Sequence, residues 1–495
     1  MQVEVREAMA SLSPAVLVAR FLRANNFEKT LEAFLEEARL PQDAGSTAKG
    51  DISLEQILRE KELFDLSLNF EKLGVEDESK AWREPTPSIP TQLSGMPTSS
   101  NILNTSVENA AFGGATPAPF VMASTADRRL HILSSQNEHF NVHRSLTHVQ
   151  DSPILAYDLI AGRYLLTSSM SGKLVLYDSK EEKVLDERKD HTKYAVRIAS
   201  REQADGVWVA TAGWDAKVFL YNLRQSNEST LRLEAPIATL VLPTNPEDLI
   251  FIEHPDTAKP LLLLTRRDST FLQYYSLPDA AGGSAGLERP VTLQFLGKQN
   301  LAPASNAWIA FTPSSIALSP TDPSLLAVAT SAVPYMKLII ARLLVPPATA
   351  NRPGSFTEAS GETSDAAVSQ GEFATMNQAS QAREALAVQE RELAAILVQC
   401  STLAPQTPYS TPSLAWRPDG SGVWVNGDDG LVRGVEAHTG KIVKTLKGHE
   451  PGSKIRCLWA GKVASTDGGE QEWLLSGGFD QRLILWRVPS RSQTP

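Results

Sequence analysis

The feature of this chain that most limits its fold is a short β-type unit that recurs from about residue 101 onward. Each copy contains a run of small residues, a turn residue and an apolar run that ends on an aromatic or aliphatic residue. The clearest copies are Thr211–Asp215 with Lys217–Tyr221, Leu475–Asp480 with Arg482–Trp486, and Thr167–Ser171 with Lys173–Tyr177. Internal repeats of this kind predict an architecture in which each unit buries its apolar surface against its neighbours.

Weaker copies extend the repeat to seven. The last strand positions of the copies are 133, 177, 221, 274, 341, 435 and 486, which are 44, 44, 53, 67, 94 and 51 residues apart. Seven four-stranded units can close into a ring that leaves no long sheet edge exposed. We therefore predict a mainly β fold, a seven-bladed β-propeller over residues 101–495, with six or eight blades as the alternatives.

The last copy resembles a WD repeat. Gly448-His449 precedes it, and it contains Ser476, Asp480 and Trp486. The shortest intervals between copies also match the roughly 40–45 residues of a WD repeat. In WD repeats these positions form a structural hydrogen-bonded tetrad, in which His contacts Ser and Asp, and Ser contacts Trp. The resemblance implies the same role for His449, Ser476, Asp480 and Trp486.

Two earlier copies carry part of this tetrad, and we interpret their polar residues as structural. The copy ending at Tyr221 offers His191, Asp215 and Tyr221 itself, and the copy ending at Tyr177 offers His148 and Ser168. A catalytic Ser–His–Asp interpretation is the disfavoured alternative. The sequence contains no phosphate-binding glycine motif and no H-E-x-x-H metal motif. We expect a non-enzymatic protein with no cofactor, no metal and no small-molecule substrate.

An insertion, residues 346–397, interrupts the fifth copy. Its first part, 346–371, is rich in Ala, Pro, Ser, Gly and Thr and predicts a mobile segment. Glu372–Leu397 predicts a helix with a heptad-like stripe of Ala379, Ala382, Leu386, Gln389, Leu393, Ile396 and Cys400. This helix either lies on the propeller wall or projects as a docking helix for a partner. Alternatively, Ile396–Thr402 is the outer strand of the fifth blade.

The N-terminal residues 1–41 predict a pair of short amphipathic helices. Ser13-Pro14 is a typical helix start, and Asn25-Asn26 can end the helix because Asn tolerates the left-handed conformation. Inward-facing positions of the two helices are Leu17, Val18, Phe21, Leu22, Leu31, Phe34, Leu35 and Ala38, with Phe27 in the turn. Helices this short are only marginally stable when isolated, so their apolar faces require a partner to pack against. A symmetric copy is the simplest one.

These residues resemble the LisH motif. Leu17-Val18-x-x-Phe21-Leu22, Asn26-Phe27, Thr30-Leu31, Phe34 and Glu37 follow its pattern, with Asn26 in place of the usual Gly. The resemblance implies homodimerisation through Leu17, Val18, Phe21, Leu22, Phe27, Leu31 and Phe34. The alternative is that the pair packs on its own propeller. Residues 42–74 predict a further short helical segment, and residues 75–100 have the Pro-, Ser- and Thr-rich composition of a disordered linker.

The composition narrows the range of partners and compartments. The net charge is -10, which makes nucleic acid an unlikely partner because phosphate binding requires surplus Lys and Arg. The two cysteines fit no zinc-ligand spacing and indicate a reducing compartment. No apolar stretch approaches the roughly 20 residues needed to span a bilayer. We expect an intracellular protein, cytoplasmic and/or nuclear, that does not bind membranes.

The expected function is that of a scaffold or adaptor, which dimerises with itself and presents the propeller face to other proteins. One segment suggests an alternative. Val209–Arg224 is similar to the 16-residue box of cullin-4 ubiquitin-ligase substrate receptors, and its specific element is the terminal Arg224. A further alternative, based on the combination of LisH and WD repeats, is a regulator of dynein, transcription or splicing.

Overall fold

A computed structural model describes residues 14–46, 54, 81–97, 99–112, 117–135, 140–203, 206–225, 230–278, 291–303, 311–347, 378–464 and 469–489. The chain divides into two compact units, Met1–Glu76 and Asp77–Pro495. Of the helical segment expected in residues 42–74, the structure describes only 42–46, which contain a turn, and Leu54. Residues 348–377 of the insertion lie outside the described residues.

The first unit contains the two expected helices, α1 (Pro14–Ala24) and α2 (Glu28–Glu37). Helix α1 begins at the proline of the predicted start signal. Asn26 ends it with φ of 58°, the left-handed conformation that Asn tolerates better than most residues. The amide of Phe27 then donates to the carbonyl of Leu22 at 2.9 Å, which closes the last turn.

The core of the first unit is small. Ala19, Leu31 and Leu35 are buried together, and the partly buried residues packed against them are Leu22, Phe34, Leu40 and Ala44. The chain after α2 turns back over α1, where the α-carbon of Gly45 lies so close to the backbone of Ala19 and Arg20 that a side chain would clash. The helix pair therefore has an apolar centre of its own, formed by one face of each helix.

The second unit is a seven-bladed β-propeller, which confirms the fold class and the blade count. Blade 1 contains β2–β5 (Ile102–Ala110, Ala118–Thr125, Leu130–Ser134, Val142–Leu146), and blade 2 contains β6–β9 (Ile154–Ile160, Tyr164–Ser169, Leu174–Asp178, Lys183–Arg188). Blade 3 contains β10–β14 with β18 (Ala195–Gln203, Gly206–Gly213, Lys217–Gln225, Leu231–Arg232, Ala238–Val241, Val291–Thr292). Blade 4 contains β15–β17 with β19 (Pro246–Glu253, Pro260–Arg266, Phe271–Ser276, Gln294–Asn300). Blades 5 and 6 contain β20–β23 (Thr312–Leu318, Leu325–Ser331, Tyr335–Arg342, Ile396–Pro405) and β24–β27 (Leu414–Trp416, Gly422–Val425, Leu431–Glu436, Ile442–Lys447). All seven anchor positions lie on the third strand of their blade.

Blade 7 joins the two ends of the propeller. Its strands β28 (Ile455–Ala464), β29 (Glu470–Gly478) and β30 (Leu483–Arg487) come from the C-terminal region, and its outer strand is β1 (Ile89–Gln92). The prediction of a disordered linker over 75–100 is therefore wrong for residues 81–97. Strand β1 pairs antiparallel with β30, and Leu93 is buried in the core between blades 7 and 1. The segment is ordered because it supplies the fourth strand that the ring needs to close.

The core is distributed around the ring. Seven hydrophobic clusters occupy the seven interfaces between neighbouring blades, and the innermost strand of each blade contacts those of both neighbours. The second and third strands are covered on both sides, so their burial is nearly continuous, whereas an outer strand such as Ile442–Lys447 alternates between covered and exposed positions. None of the helices that the structure describes is long and apolar enough to cross a membrane.

The turn before each third strand explains the sequence repeat. Six of the seven turns place a residue with positive φ five or six positions before the anchor: Arg128, Gly172, Ala216, Asp268, Gly430 and Gln481. At Gly172 a side chain would also meet the carbonyl oxygen of His191 at 2.5 Å, so glycine is required there. The small and turn residues of the repeat are thus the tight connection between two buried strands.

Part of the insertion is described. Helix α3 (Gln378–Ala395) lies within the predicted helix, but Ile396–Pro405 is β23, so assigning Ile396 and Cys400 to the helical stripe is wrong and the outer-strand alternative is confirmed. Helix α3 is held against the end of β19. The amide of Asn300 donates to Glu392 Oε1 at 2.8 Å, and Gln389 Nε2 donates to the carbonyl of Pro303 at 2.8 Å.

Candidate functional site

The face of the propeller that carries the inter-blade connections contains a central cavity. Because the strands of a blade are antiparallel, this face, which we call the upper face, also holds every turn between a second and a third strand. The cavity has a volume of about 200 Å³ and lies among the starts of the innermost strands. Residues from all seven blades line it, among them Asn104, Leu155, Arg197, Asp248, Ser315, Ser413 and Arg456.

Exposed aromatic side chains are placed on the same face. Trp214, in the turn of blade 3, lines the cavity and stacks on Tyr194 with ring centroids 5.1 Å apart. Further exposed aromatic residues on the connections and turns are Tyr335, Tyr409 and Phe479. Tyr409 is 88% exposed. Aromatic side chains are enriched at the centres of protein interfaces, so this face has the composition of a binding surface.

The charged residues of the cavity are mostly paired. Arg197 Nε lies 3.1 Å from Asp248 Oδ1, and Glu247 accepts from Arg267 Nε at 2.7 Å. Burial raises the pKa of the Asp248 carboxyl, although the charge of Arg197 and the backbone amides of Ile316 and Leu249 oppose that shift. The Arg197–Asp248 pair connects blade 3 to blade 4 at the rim of the cavity, whereas the Arg267–Glu247 pair lies within blade 4.

The four tetrad residues of blade 7 form one hydrogen-bonded chain. His449 Nδ1 contacts Asp480 Oδ2 at 2.9 Å, and His449 Nε2 contacts Ser476 Oγ at 2.8 Å. Trp486 Nε1 donates to Ser476 Oγ at 2.9 Å. Asp480 also accepts the backbone amide of Glu450 at 3.0 Å. The chain links the connection before blade 7 to the second and third strands of that blade.

Blade 3 contains a similar chain with one member that the sequence reasoning missed. His191 Nδ1 lies 3.0 Å from Asp215 Oδ1, and its Nε2 lies 2.9 Å from Thr211 Oγ1. Tyr221 donates its hydroxyl to Asp190 Oδ2 at 3.0 Å. Thr211 precedes Tyr221 by ten residues, the same interval that separates Ser476 from Trp486, so an alignment of the two copies identifies it.

Blade 2 departs from the sequence interpretation. His148 is exposed, and Ser168 donates to the backbone carbonyl of Ala195 instead. The position expected for histidine is occupied by Gln150, which donates through Nε2 to Thr167 Oγ1 at 2.9 Å. A buried amide makes the same connection between the preceding loop and the second strand. No sequence pattern indicates this role, because glutamine does not belong to the histidine pattern.

The Ser–His–Asp arrangement of blade 7 has the order of groups found in nucleophilic hydrolases, but its surroundings differ. Ser476 is completely buried, and its oxygen is already held by both His449 and the indole of Trp486. Thr211 of blade 3 is also completely buried. A nucleophile must reach its substrate, which these two buried hydroxyl groups do not; their hydrogen bonds connect neighbouring segments of the blade.

The remaining predicted residues lie at the surface or in the helix pair. Arg224 is exposed near the end of β12, beyond Tyr221. Of the predicted dimerisation residues, Leu31 is buried in the unit's own core and Leu22 and Phe34 pack against it. Leu17, Val18, Phe21 and Phe27 lie outside that core, and the rings of Phe21 and Phe27 are 6.4 Å apart.

The fold and its hydrogen-bonded chains define a class: a WD-type propeller combined with a LisH helix pair. The family models agree with it. The model for the UCP007778 beta-propeller domain matches residues 96–284 and 300–487, and the model for the UCP007778 LisH domain matches residues 15–42. The chain therefore belongs to the UCP007778 family. No curated protein matches the chain significantly.

Proposed function

We propose that this protein is a non-enzymatic interaction scaffold, which dimerises through its LisH helix pair and presents the upper face of the propeller to other proteins. The observation that carries the proposal is the apolar surface left on the helix pair. Among the residues that the structure describes, Leu17, Val18 and Phe21 on α1 lie outside the unit's core and are only partly buried, and Phe27, near Phe21, is 50% exposed. An apolar face of this kind on a short helix pair is typical of a self-association surface.

The upper face supports the second half of the proposal. Its stacked Tyr194–Trp214 pair stands at the edge of the central cavity and is held in place by the strands beneath it. Rigid aromatic groups bind partners at a small entropic cost, because few rotatable bonds must be fixed. A dimer presents two such faces, so a partner with two matching sites gains avidity without any new contact.

The experiment that tests the proposal is the solution mass of the protein, measured by light scattering at several concentrations. We expect the full chain to be a dimer or a larger assembly, and a chain that begins at Asp77 to be a monomer. The shorter chain keeps the whole second unit, including β1. A monomeric full chain at all concentrations contradicts self-association.

A single substitution makes this test specific to the exposed apolar face. Phe27 occupies the N-cap position of α2 and makes no side-chain capping bond there. Asp is a preferred N-cap residue, so Phe27→Asp places a charge in the face without removing a helix-forming residue. We expect this variant to be monomeric. Ala33→Asp adds the same charge at an exposed position of α2 and should leave the assembly unchanged; equal behaviour of the two variants argues against this face.

The alternative function, a substrate receptor of a cullin-4-type ubiquitin ligase, retains one supporting observation, which is the exposure of Arg224. Its test is capture of the ligase adaptor by the full chain in a pull-down with purified components. Under this alternative Arg224→Ala abolishes capture, because a buried interfacial charge contact typically accounts for 2 kcal/mol or more, on the order of 30-fold in affinity. Unchanged capture, or none by the unsubstituted chain, removes the alternative.

A further inference from the structure

One arginine in the central cavity has no partner among the residues that the structure describes. Arg456 is the second residue of β28 and lines the cavity. Its Nε is buried without a hydrogen bond, and the guanidinium makes no hydrogen bond or ion pair with any residue that the structure describes. The other cavity arginine, Arg197, is paired with Asp248. Burying a guanidinium nitrogen without an acceptor is costly, because that nitrogen has lost its water and formed no new hydrogen bond.

The charges around the cavity leave Arg456 uncompensated. The carboxylates in the lining are Glu247 and Asp248, and each already has its own arginine, Arg267 and Arg197 respectively. One positive charge therefore remains after the pairs are formed. Burial lowers the pKa of Arg456, and the nearby charge of Arg197 lowers it further, which shows that the surroundings disfavour the cation. A negatively charged oxygen in the cavity removes this disadvantage.

The size and lining of the cavity indicate which anion fits. Small-molecule sites usually measure roughly 300–1,000 Å³, so a cavity of about 200 Å³ suits a single side chain better than a cofactor. One unpaired cation balances one carboxylate, whereas a doubly charged phosphate would leave one negative charge without a counter-charge in the cavity. Hydroxyl groups of Ser315, Thr411 and Ser413 lie in the same lining, and Trp214 offers an apolar surface at the rim.

We propose that this cavity binds the carboxylate of a Glu or Asp side chain in an acidic segment of a partner protein, with Arg456 as its ligand. The proposal rests on the proposed function, in that the upper face is the partner-binding face, and it specifies what that face recognises. The carboxylate accepts from the guanidinium of Arg456, and the flanking part of the segment lies against Trp214 and Tyr194. Arginine suits this role because its planar donors match a carboxylate.

The test uses the full chain and a fluorescein-labelled hexaglutamate peptide as the probe, with hexaglutamine as the matched neutral peptide, in fluorescence anisotropy. We expect hexaglutamate to bind and hexaglutamine not to bind. The net charge of -10 opposes general attraction of an acidic peptide, so binding requires a local site. Arg456→Met should weaken binding about tenfold or more. Lys462→Met, which removes the same charge from an exposed position farther along β28, should not.

A second measurement separates a ligand-binding arginine from a structural one. Without the probe, Arg456→Met should raise the melting temperature by about 1–3 °C, because a partly buried cation whose Nε has no acceptor is replaced by an apolar chain of similar length. A fall in melting temperature shows that Arg456 stabilises the fold and overturns the proposal. The same conclusion follows if hexaglutamate binds the Arg456→Met variant as well as the unsubstituted chain, or fails to bind the latter. These outcomes leave the scaffold proposal standing, since the solution mass tests it separately.

Discussion

A chain that begins at Asn101 is expected to lose the cooperative unfolding transition that a chain beginning at Asp77 keeps. The difference is residues 77–100, which composition alone assigns to a linker. Within them β1 supplies the outer strand of blade 7, Leu93 is buried between blades 7 and 1, and Trp82 packs edge-on against Trp424 with centroids 5.1 Å apart. The guanidinium of Arg417 lies 4.6 Å above the Trp82 ring, and its Nη1 donates to the carbonyl of Arg83 at 2.7 Å.

The expected loss is comparable to the whole stability of a domain. Removing a buried Trp or Leu side chain costs roughly 2–5 kcal/mol each, and typical domains have about 5–15 kcal/mol in total. Removal of β1 also leaves β30 as an unpaired edge that can associate with other chains. Thermal unfolding followed by circular dichroism, with light scattering for aggregation, measures both effects. Equal melting temperatures for the two chains would show that residues 77–100 do not contribute to the stability of the propeller.

The propeller could be predicted from sequence because its signal lies in the third strands. Each is buried on both sides, and six of the seven follow a turn that contains a residue with positive φ. Both requirements restrict the sequence locally, so the copies resemble one another even where the tetrad is absent, as in blade 4 around Asp268 and Tyr274. The helix pair was predictable for a similar reason: Pro14 and Asn26 mark the ends of α1.

Strand β1 could not be predicted from sequence because its order depends on a distant partner. Ile89–Gln92 has four residues, one of them proline, and no pattern that distinguishes it from a linker. It becomes a strand because β30, almost 400 residues later, offers an open edge. Gln150 is a parallel case: nothing local marks it as a substitute for a tetrad histidine, and only its distance to Thr167 reveals the role.

The cavity of the upper face was also beyond prediction. Arg197 and Asp248 belong to different blades, and Arg456 approaches them from the other end of the sequence. Their proximity follows from closure of the ring, which brings seven strand starts to one place. Composition pointed only to a generally acidic molecule, whereas the unpaired charge in this cavity is positive. The net charge of the chain therefore does not predict which partner binds at the upper face.

Asp480→Asn is expected to destabilise the propeller by about 2–4 kcal/mol at neutral pH, because the carboxylate is a buried acceptor for His449 and for the amide of Glu450. The asparagine side chain has the same shape but no charge. Asp268→Asn is the matched control, since Asp268 lies in the corresponding turn of blade 4, is exposed and has no histidine partner among the described residues. Chemical denaturation gives the free energy of unfolding of each variant. A cost at position 480 no larger than that at position 268 would show that the tetrad contributes no stability.

The pH dependence of the destabilisation caused by Asp480→Asn identifies the carboxylate as its source. Burial of Asp480 acts to raise the pKa, but the hydrogen bond and charge of His449 and the amides of Glu450 and Arg482 outweigh it, so the pKa lies below the ordinary 3.8. A carboxyl whose pKa is lowered by folding stabilises the native state above its unfolded pKa, and this contribution disappears as pH falls through the folded value. The difference in the free energy of unfolding between Asp480→Asn and the unsubstituted chain should therefore be constant from pH 5 upward and shrink below about pH 3.8.

Asp215 in blade 3 is a second case. Burial acts to raise its pKa, but the corresponding contacts with His191 and Thr192 outweigh burial and lower the pKa. Asp215→Asn should consequently show the same pH profile. If the loss of stability is independent of pH at both positions, packing rather than charge is its cause.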